Sequence, residues 1–117
     1  MPISSLHVLV VEDDQGSRDL LHEMISYLGH EVVCVATAEE ALEPLANTRF
    51  DTLIADINLP GMSGIALAEK AVETAPGMKI VFASGYSYLV TDKTDFAFTL
   101  LPKPFNLSQL RHAIEAS

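Results

Sequence analysis

Three short apolar runs, each ending on charged residues, constrain this chain more than any other feature. Val8-Leu9-Val10-Val11 runs into Glu12-Asp13-Asp14, Thr52-Leu53-Ile54-Ala55 into Asp56, and Leu100-Leu101-Pro102 into Lys103-Pro104. Short continuous aliphatic runs are the pattern of strands buried on both faces, as in a parallel sheet. If the three lie parallel in one sheet, their C-terminal ends share one edge. Carboxylates and a lysine then meet in one pocket, a combination suited to a divalent cation and a phosphoryl group.

The rest of the chain alternates in the same sense. Leu6 to Val11 reads as a strand, and Gln15 to Leu28 as a helix with Leu20, Leu21, Met24, Ile25 and Leu28 at helical spacing, stopped by Gly29. Glu31 to Val35 is a second strand. Thr37 followed by Glu40 forms a capping-box signature for a helix carrying Ala41, Leu42 and Leu45, which Pro44 is expected to shorten or kink. Asp51 to Ala55 is a third strand, and the turn-rich Asn58-Leu59-Pro60-Gly61-Met62-Ser63-Gly64 leads into a helix over Ile65 to Thr74. Lys79 to Ala83 and Ala97 to Leu101 are the fourth and fifth strands. Ser84 to Phe96 has no clean helical period, and Asn106 or Ser108 can cap a last helix.

Strands alternating with helices imply an α/β fold with a parallel sheet covered on both faces. Right-handed crossovers make the flavodoxin-like order 2-1-3-4-5 the leading arrangement of five strands. Ligands of such sheets bind at the carboxyl ends beside the switch point between strands one and three. Glu12-Asp13 and Asp56 end those two strands.

With 117 residues, 49% of them hydrophobic, the chain is the size of one domain, expected to span 1–117. A formal net charge of −9 argues against non-specific nucleic-acid binding and against an anionic membrane surface. Cys34, the one cysteine, lies in an apolar stretch and reads as a small core residue. No run approaches a membrane span and the N-terminus lacks a leader pattern, so a soluble cytoplasmic protein is expected. His7, His22, His30 and His112 have no ligand spacing and read as surface or packing residues.

The constellation has its own chemistry. A hard cation such as Mg²⁺ takes oxygen ligands, which Glu12, Asp13 and Asp56 supply. Lys103 adds a point charge for a phosphoryl oxygen. A carboxylate can act as a nucleophile and form an aspartyl phosphate, a reaction that needs mainly positioning and charge neutralisation. Ser84, closing the fourth strand, offers a hydroxyl to a further phosphoryl oxygen. Asp13 and Asp14 could instead be only the acidic start of a helix.

Together, Val10 to Asp14, Asp56 to Gly64, Ser84-Gly85 and Lys103-Pro104-Phe105 resemble, in order, the receiver domain of two-component response regulators, over essentially the whole chain. The resemblance implies that Asp56 accepts a phosphoryl group from a histidine on a sensor histidine kinase or histidine phosphotransfer protein. It implies that Mg²⁺ is held by Asp13 directly, by Glu12 directly or through water, by Asp56 and by the backbone carbonyl of Asn58. Ser84 would be the switch hydroxyl, Lys103 the phosphoryl-binding lysine, and Lys103-Pro104 a cis bond. It also implies a phosphorelay switch that catalyses only its own phosphorylation and dephosphorylation. Output would pass through a protein contact or onward transfer of the phosphoryl group, with room for a weak homodimer.

The chain departs from the family in two places. Leu100 stands where many receivers carry an aromatic switch residue, leaving Phe98 as a substitute on the same strand face. The segment after Ser84 is short, so the fourth helix of the family is expected to be reduced or irregular, with Tyr86 and Tyr88 over it or facing a partner. A pseudo-receiver that never takes phosphate is the alternative. A phosphatase with an aspartyl intermediate usually carries a second acid two residues after the nucleophile, where this chain has Asn58.

Overall fold

The computed structural model describes residues 5–85 and 95–116. In chain order its elements are β1 (His7–Val11), α1 (Gln15–Tyr27), β2 (Glu31–Val35), α2 (Ala38–Asn47), β3 (Thr52–Ala55), α3 (Gly64–Thr74), β4 (Lys79–Ser84), β5 (Thr99–Pro102) and α4 (Leu107–Glu115). All strand pairs are parallel, in the expected order β2-β1-β3-β4-β5. The expectation of a reduced helix between β4 and β5, and the placement of Tyr86 and Tyr88, fall largely on 86–94, outside the described residues.

The two-residue period of the strands sorts the core into two layers. Leu9, Val11, Leu53, Ala55, Ile80 and Phe82 face α2 and α3, meeting Ala41, Leu45, Leu67 and Ala71. Val8, Val10, Ile54, Val81, Ala83 and Leu101 face α1 and α4, meeting Leu21, Ile25, Leu110 and Ile114. Burial on both sides is why these strands read as unbroken apolar runs. Each fully buried Leu or Ile contributes roughly 1.5–3 kcal/mol, so the central strands anchor the edge from which the charged residues emerge. No helix among the described residues is long and apolar enough to cross a membrane.

Local signals set most boundaries. Thr37 and Glu40 form the predicted capping box of α2, and Asn106 with Gln109 forms another on α4. Gly29 adopts φ 91° just past α1, the left-handed conformation that glycine tolerates. Pro44 does not shorten α2, which runs on through Asn47. Proline takes its own N–H out of the helix, but the Pro44 carbonyl still accepts from Thr48 N–H at 2.8 Å. β5 begins two positions later than expected, because pairing with β4 starts at Thr99 opposite Val81. Phe98 therefore lies before the strand, not on it, and packs against Phe82 and Phe96 with ring centroids 5.4 and 6.4 Å away. Leu100 is half-buried against the same layer.

His30 is a packing residue with a specific partner. Its Nδ1 accepts the Leu6 N–H at 3.1 Å, so the ring proton sits on Nε2 and donates to Glu115 Oε2 at 2.8 Å. This bond, followed by that from Arg111, holds the Glu115 carboxyl below the usual glutamate range. A carboxylate with a depressed folded pKa contributes stability above its unfolded pKa, and the contribution fades as pH falls through the folded value. Glu115→Gln is therefore expected to be less stable than the parent chain at neutral pH. The two urea midpoints should converge as pH drops below about 4.3, whereas a gap that stays constant would remove the charge from the account.

Candidate functional site

Sheet register brings the predicted residues together. Val11 pairs with Ala55, so the next residues, Glu12 and Asp56, leave adjacent strands at the same level. Asp56 N–H donates to the Val11 carbonyl at 3.2 Å, and Glu12 N–H to the Val35 carbonyl at 3.1 Å. On the other side Ser84 pairs with Pro102, and Lys103 N–H donates to the Ser84 carbonyl at 3.3 Å. Strand ends thus deliver Glu12, Asp56, Ser84 and Lys103 to one edge.

Lys103 bridges the two strand-end carboxylates, its Nζ lying 2.7 Å from Glu12 Oε1 and 3.0 Å from Asp56 Oδ2. Burial works to lower the Lys103 pKa, but the hydrogen bonds and charges of Glu12 and Asp56 outweigh it and leave the ammonium favoured beyond its usual range. Glu12 is buried and Asp13 exposed at the mouth of the site. Ligand oxygens of Glu12, Asp13 and Asp56 lie within 4.8 Å of one another. The Lys103-Pro104 peptide bond is cis, as the resemblance implies. Ser84 is buried at the end of β4.

The loops around these residues are tightly held. Asp14 caps α1, accepting Ser17 N–H at 2.8 Å, and that bond lowers its pKa. Of the two acids that could have been a helix start, Asp14 takes that role and Asp13 is left for the site. Arg18 Nη1 donates to the carbonyls of Glu12 at 2.9 Å and Asp13 at 3.3 Å, pinning the turn that carries them. Asp14 N–H reaches back to Glu12 Oε2 at 3.0 Å, and Asn58 N–H donates to Asp56 Oδ1 at 3.0 Å. Ser63 caps α3, and Gly64 lies so close to the Asp56 backbone that a Cβ there would sit 2.1 Å from the Asp56 carbonyl oxygen.

The donor set fits a hard cation. All three side chains offer carboxylate oxygen, and the Glu12 and Asp56 oxygens keep lone pairs beyond those their present hydrogen bonds use. Mg²⁺ takes such oxygens at about 2.0–2.1 Å, and those of Glu12, Asp13 and Asp56 are already gathered within 4.8 Å of one another. Nitrogen and sulfur donors, which would favour zinc or copper, are absent from this cluster.

Three residues that shape the site carry little sign of that role in the sequence. Arg18 left a weak signal, a basic residue one turn into a helix that follows acidic residues. Gly64 read only as a turn residue. Glu39 left none, because the Met62 N–H that its Oε2 accepts at 3.0 Å is 23 positions away. That bond lowers the Glu39 pKa.

Known proteins resemble this chain in sequence and fold. Residues 8–115 match the family model described as "Response regulator receiver domain". The response regulator receiver protein CpdR of Brucella abortus is 33% identical over 111 residues, covering 92% of this chain and 92% of its own length. The DNA-binding transcriptional regulator NtrC of Azospirillum brasilense is 30% identical over 116 residues, which cover 97% of this chain but 24% of that protein. Among solved structures, the response regulator protein TrrA of Thermotoga maritima in complex with Mg²⁺-BeF aligns with a TM-score of 0.83 at 29% identity, over 92% of this chain and 94% of that one.

Proposed function

The chain belongs to the response regulator receiver domains, the phosphoacceptor modules of two-component systems, and from that premise we propose that Asp56 is its phosphoacceptor. The observation that carries the assignment is the bridge of Lys103 between Glu12 and Asp56, at 2.7 and 3.0 Å, beside a third carboxylate. An Asp56 carboxylate oxygen attacks the phosphorus of a phosphohistidine on a sensor histidine kinase or histidine phosphotransfer protein. The new O–P bond forms as the P–N bond breaks, and the imidazole leaves with that electron pair. Glu12, Asp13, Asp56 and the Asn58 carbonyl are the residues that would hold Mg²⁺, which when bound neutralises a phosphoryl oxygen. Lys103 takes charge on a second oxygen, and the Ser84 hydroxyl donates to a third.

An apolar groove supports docking of the donor beside this centre. Leu20, more than half exposed on α1, lines it together with Ser17, Leu21, Lys103, Pro104 and Phe105. We read residues 1–117 as one receiver domain acting in the cytoplasm, where phosphohistidine donors and Mg²⁺ are found, with no substrate turned over beyond its own aspartyl phosphate. Incubation with a small phosphodonor tests the reading. One acid-labile phosphoryl group per chain is expected in Mg²⁺, with little after chelation, and a chain that stays unlabelled in both would refute it.

A further inference from the structure

The loop between β3 and α3 carries Asn58, and its tip is held from another helix. Near its base, Asn58 N–H bonds to Asp56 Oδ1 and Gly64 N–H to the Ile57 carbonyl, at 3.0 and 3.1 Å. At the tip, Met62 N–H donates to Glu39 Oε2 across the gap to α2. Two features make this contact a built one. Gly61 takes φ 74° and has no side chain where the carboxylate seats, since a Cβ there would lie 2.6 Å from Glu39 Oε2. The start of α2 is itself locked, because Glu40 Oε1 accepts both the Ala36 and Thr37 N–H groups at 3.1 Å while its own N–H bonds to Thr37. Glu40 secures the helix end, and its neighbour Glu39 is left to reach the loop.

We propose that Glu39 is a positioning residue for the cation site: from α2 it holds the Gly61–Met62 tip so that the loop presents Asn58 in register with Asp56. The proposal rests on the reading of the Asn58 carbonyl as a cation ligand. It makes α2 part of the site although no α2 side chain joins the carboxylate cluster. The bond needs an acceptor oxygen, not a charge, so glutamine can replace glutamate and alanine cannot.

The test is a Mg²⁺ titration of the parent chain, Glu39→Ala, Glu39→Gln and Asp13→Asn, read by amide chemical shifts, with thermal unfolding and Met62 amide exchange measured on the same samples. Residues that orient metal ligands typically tune affinity 10–100-fold, so Glu39→Ala is expected to weaken Mg²⁺ binding by about tenfold. Glu39→Gln should stay within about twofold of the parent chain, because the amide oxygen restores the acceptor. Met62 should exchange faster in Glu39→Ala alone, while its melting temperature stays near that of the parent chain, since Glu39 is exposed. Parent-like Mg²⁺ affinity in Glu39→Ala would overturn the proposal and leave the cation site standing if Asp13→Asn still loses the ion. Equal losses in Glu39→Ala and Glu39→Gln would overturn it as well. Absence of Mg²⁺ binding by the parent chain would instead overturn the cation-site reading, and the role of Glu39 with it.

Discussion

Lys103→Met is expected to slow phosphorylation of Asp56 by a small phosphodonor about 10²–10³-fold, the range seen when one preorganised donor to developing charge is removed. Methionine keeps most of the stem and deletes the ammonium that sits 2.7 Å from Glu12 and 3.0 Å from Asp56. Two effects then act together. The phosphoryl group loses its lysine contact, and the two strand-end carboxylates face each other without their shared cation. Glu12 is buried, so an acceptor left without its partner costs about 1–3 kcal/mol, and the variant should unfold at lower urea without Mg²⁺. Added Mg²⁺ should recover stability more than rate, because a cation among the carboxylates replaces the lost counter-charge and not the lost contact. Single-turnover labelling and urea titrations with and without Mg²⁺ measure the two effects separately. A rate within a factor of about three of the parent chain would take Lys103 out of the chemistry.

Gly64→Ala should cost about 3 kcal/mol or more, at the upper end of overpacking penalties. The added methyl would meet backbone, with the Asp56 carbonyl oxygen at 2.1 Å and the Ile57 Cα at 3.2 Å. A flexible side chain could turn away, but these atoms belong to the loop leaving β3. Relief therefore has to shift Asp56 itself or the start of α3, and labelling should fall along with stability. Gly77→Ala is the matched control, since nothing lies within 4 Å of a Cβ there. It should move the urea midpoint by less than the equivalent of about 0.5 kcal/mol. Equal costs at the two glycines would mean that the close approach at Gly64 relaxes freely.

What could be read from the sequence follows from how local its causes are. Val8 to Val11 and Thr52 to Ala55 announce buried parallel strands by composition alone, and the doubly wound order then delivers Glu12 and Asp56 to neighbouring positions. Thr37, Asn106 and Gly29 act on their own helices, so their roles were legible too. Pro44 does not end its helix, which retains the bond to the Pro44 carbonyl beyond the one that proline removes. The start of β5 was misplaced by two residues because an edge strand pairs on one side only. Phe98 had the composition of a strand residue but packs on Phe82 ahead of the ladder. Arg18, Glu39 and Gly64 depend on atoms that the fold brings near them, and no spacing rule reaches from Glu39 to Met62.

One atom group, the Asp56 carboxylate, carries the proposed chemistry. Intact mass and peptide mapping after treatment with a small phosphodonor in Mg²⁺, on the parent chain and on Asp56→Asn, test it directly. One added phosphoryl group on the peptide containing Asp56, absent from Asp56→Asn and from the chelated parent, is the predicted result. Undiminished labelling of Asp56→Asn, or a parent chain that takes no phosphoryl group while it binds Mg²⁺, would contradict the account.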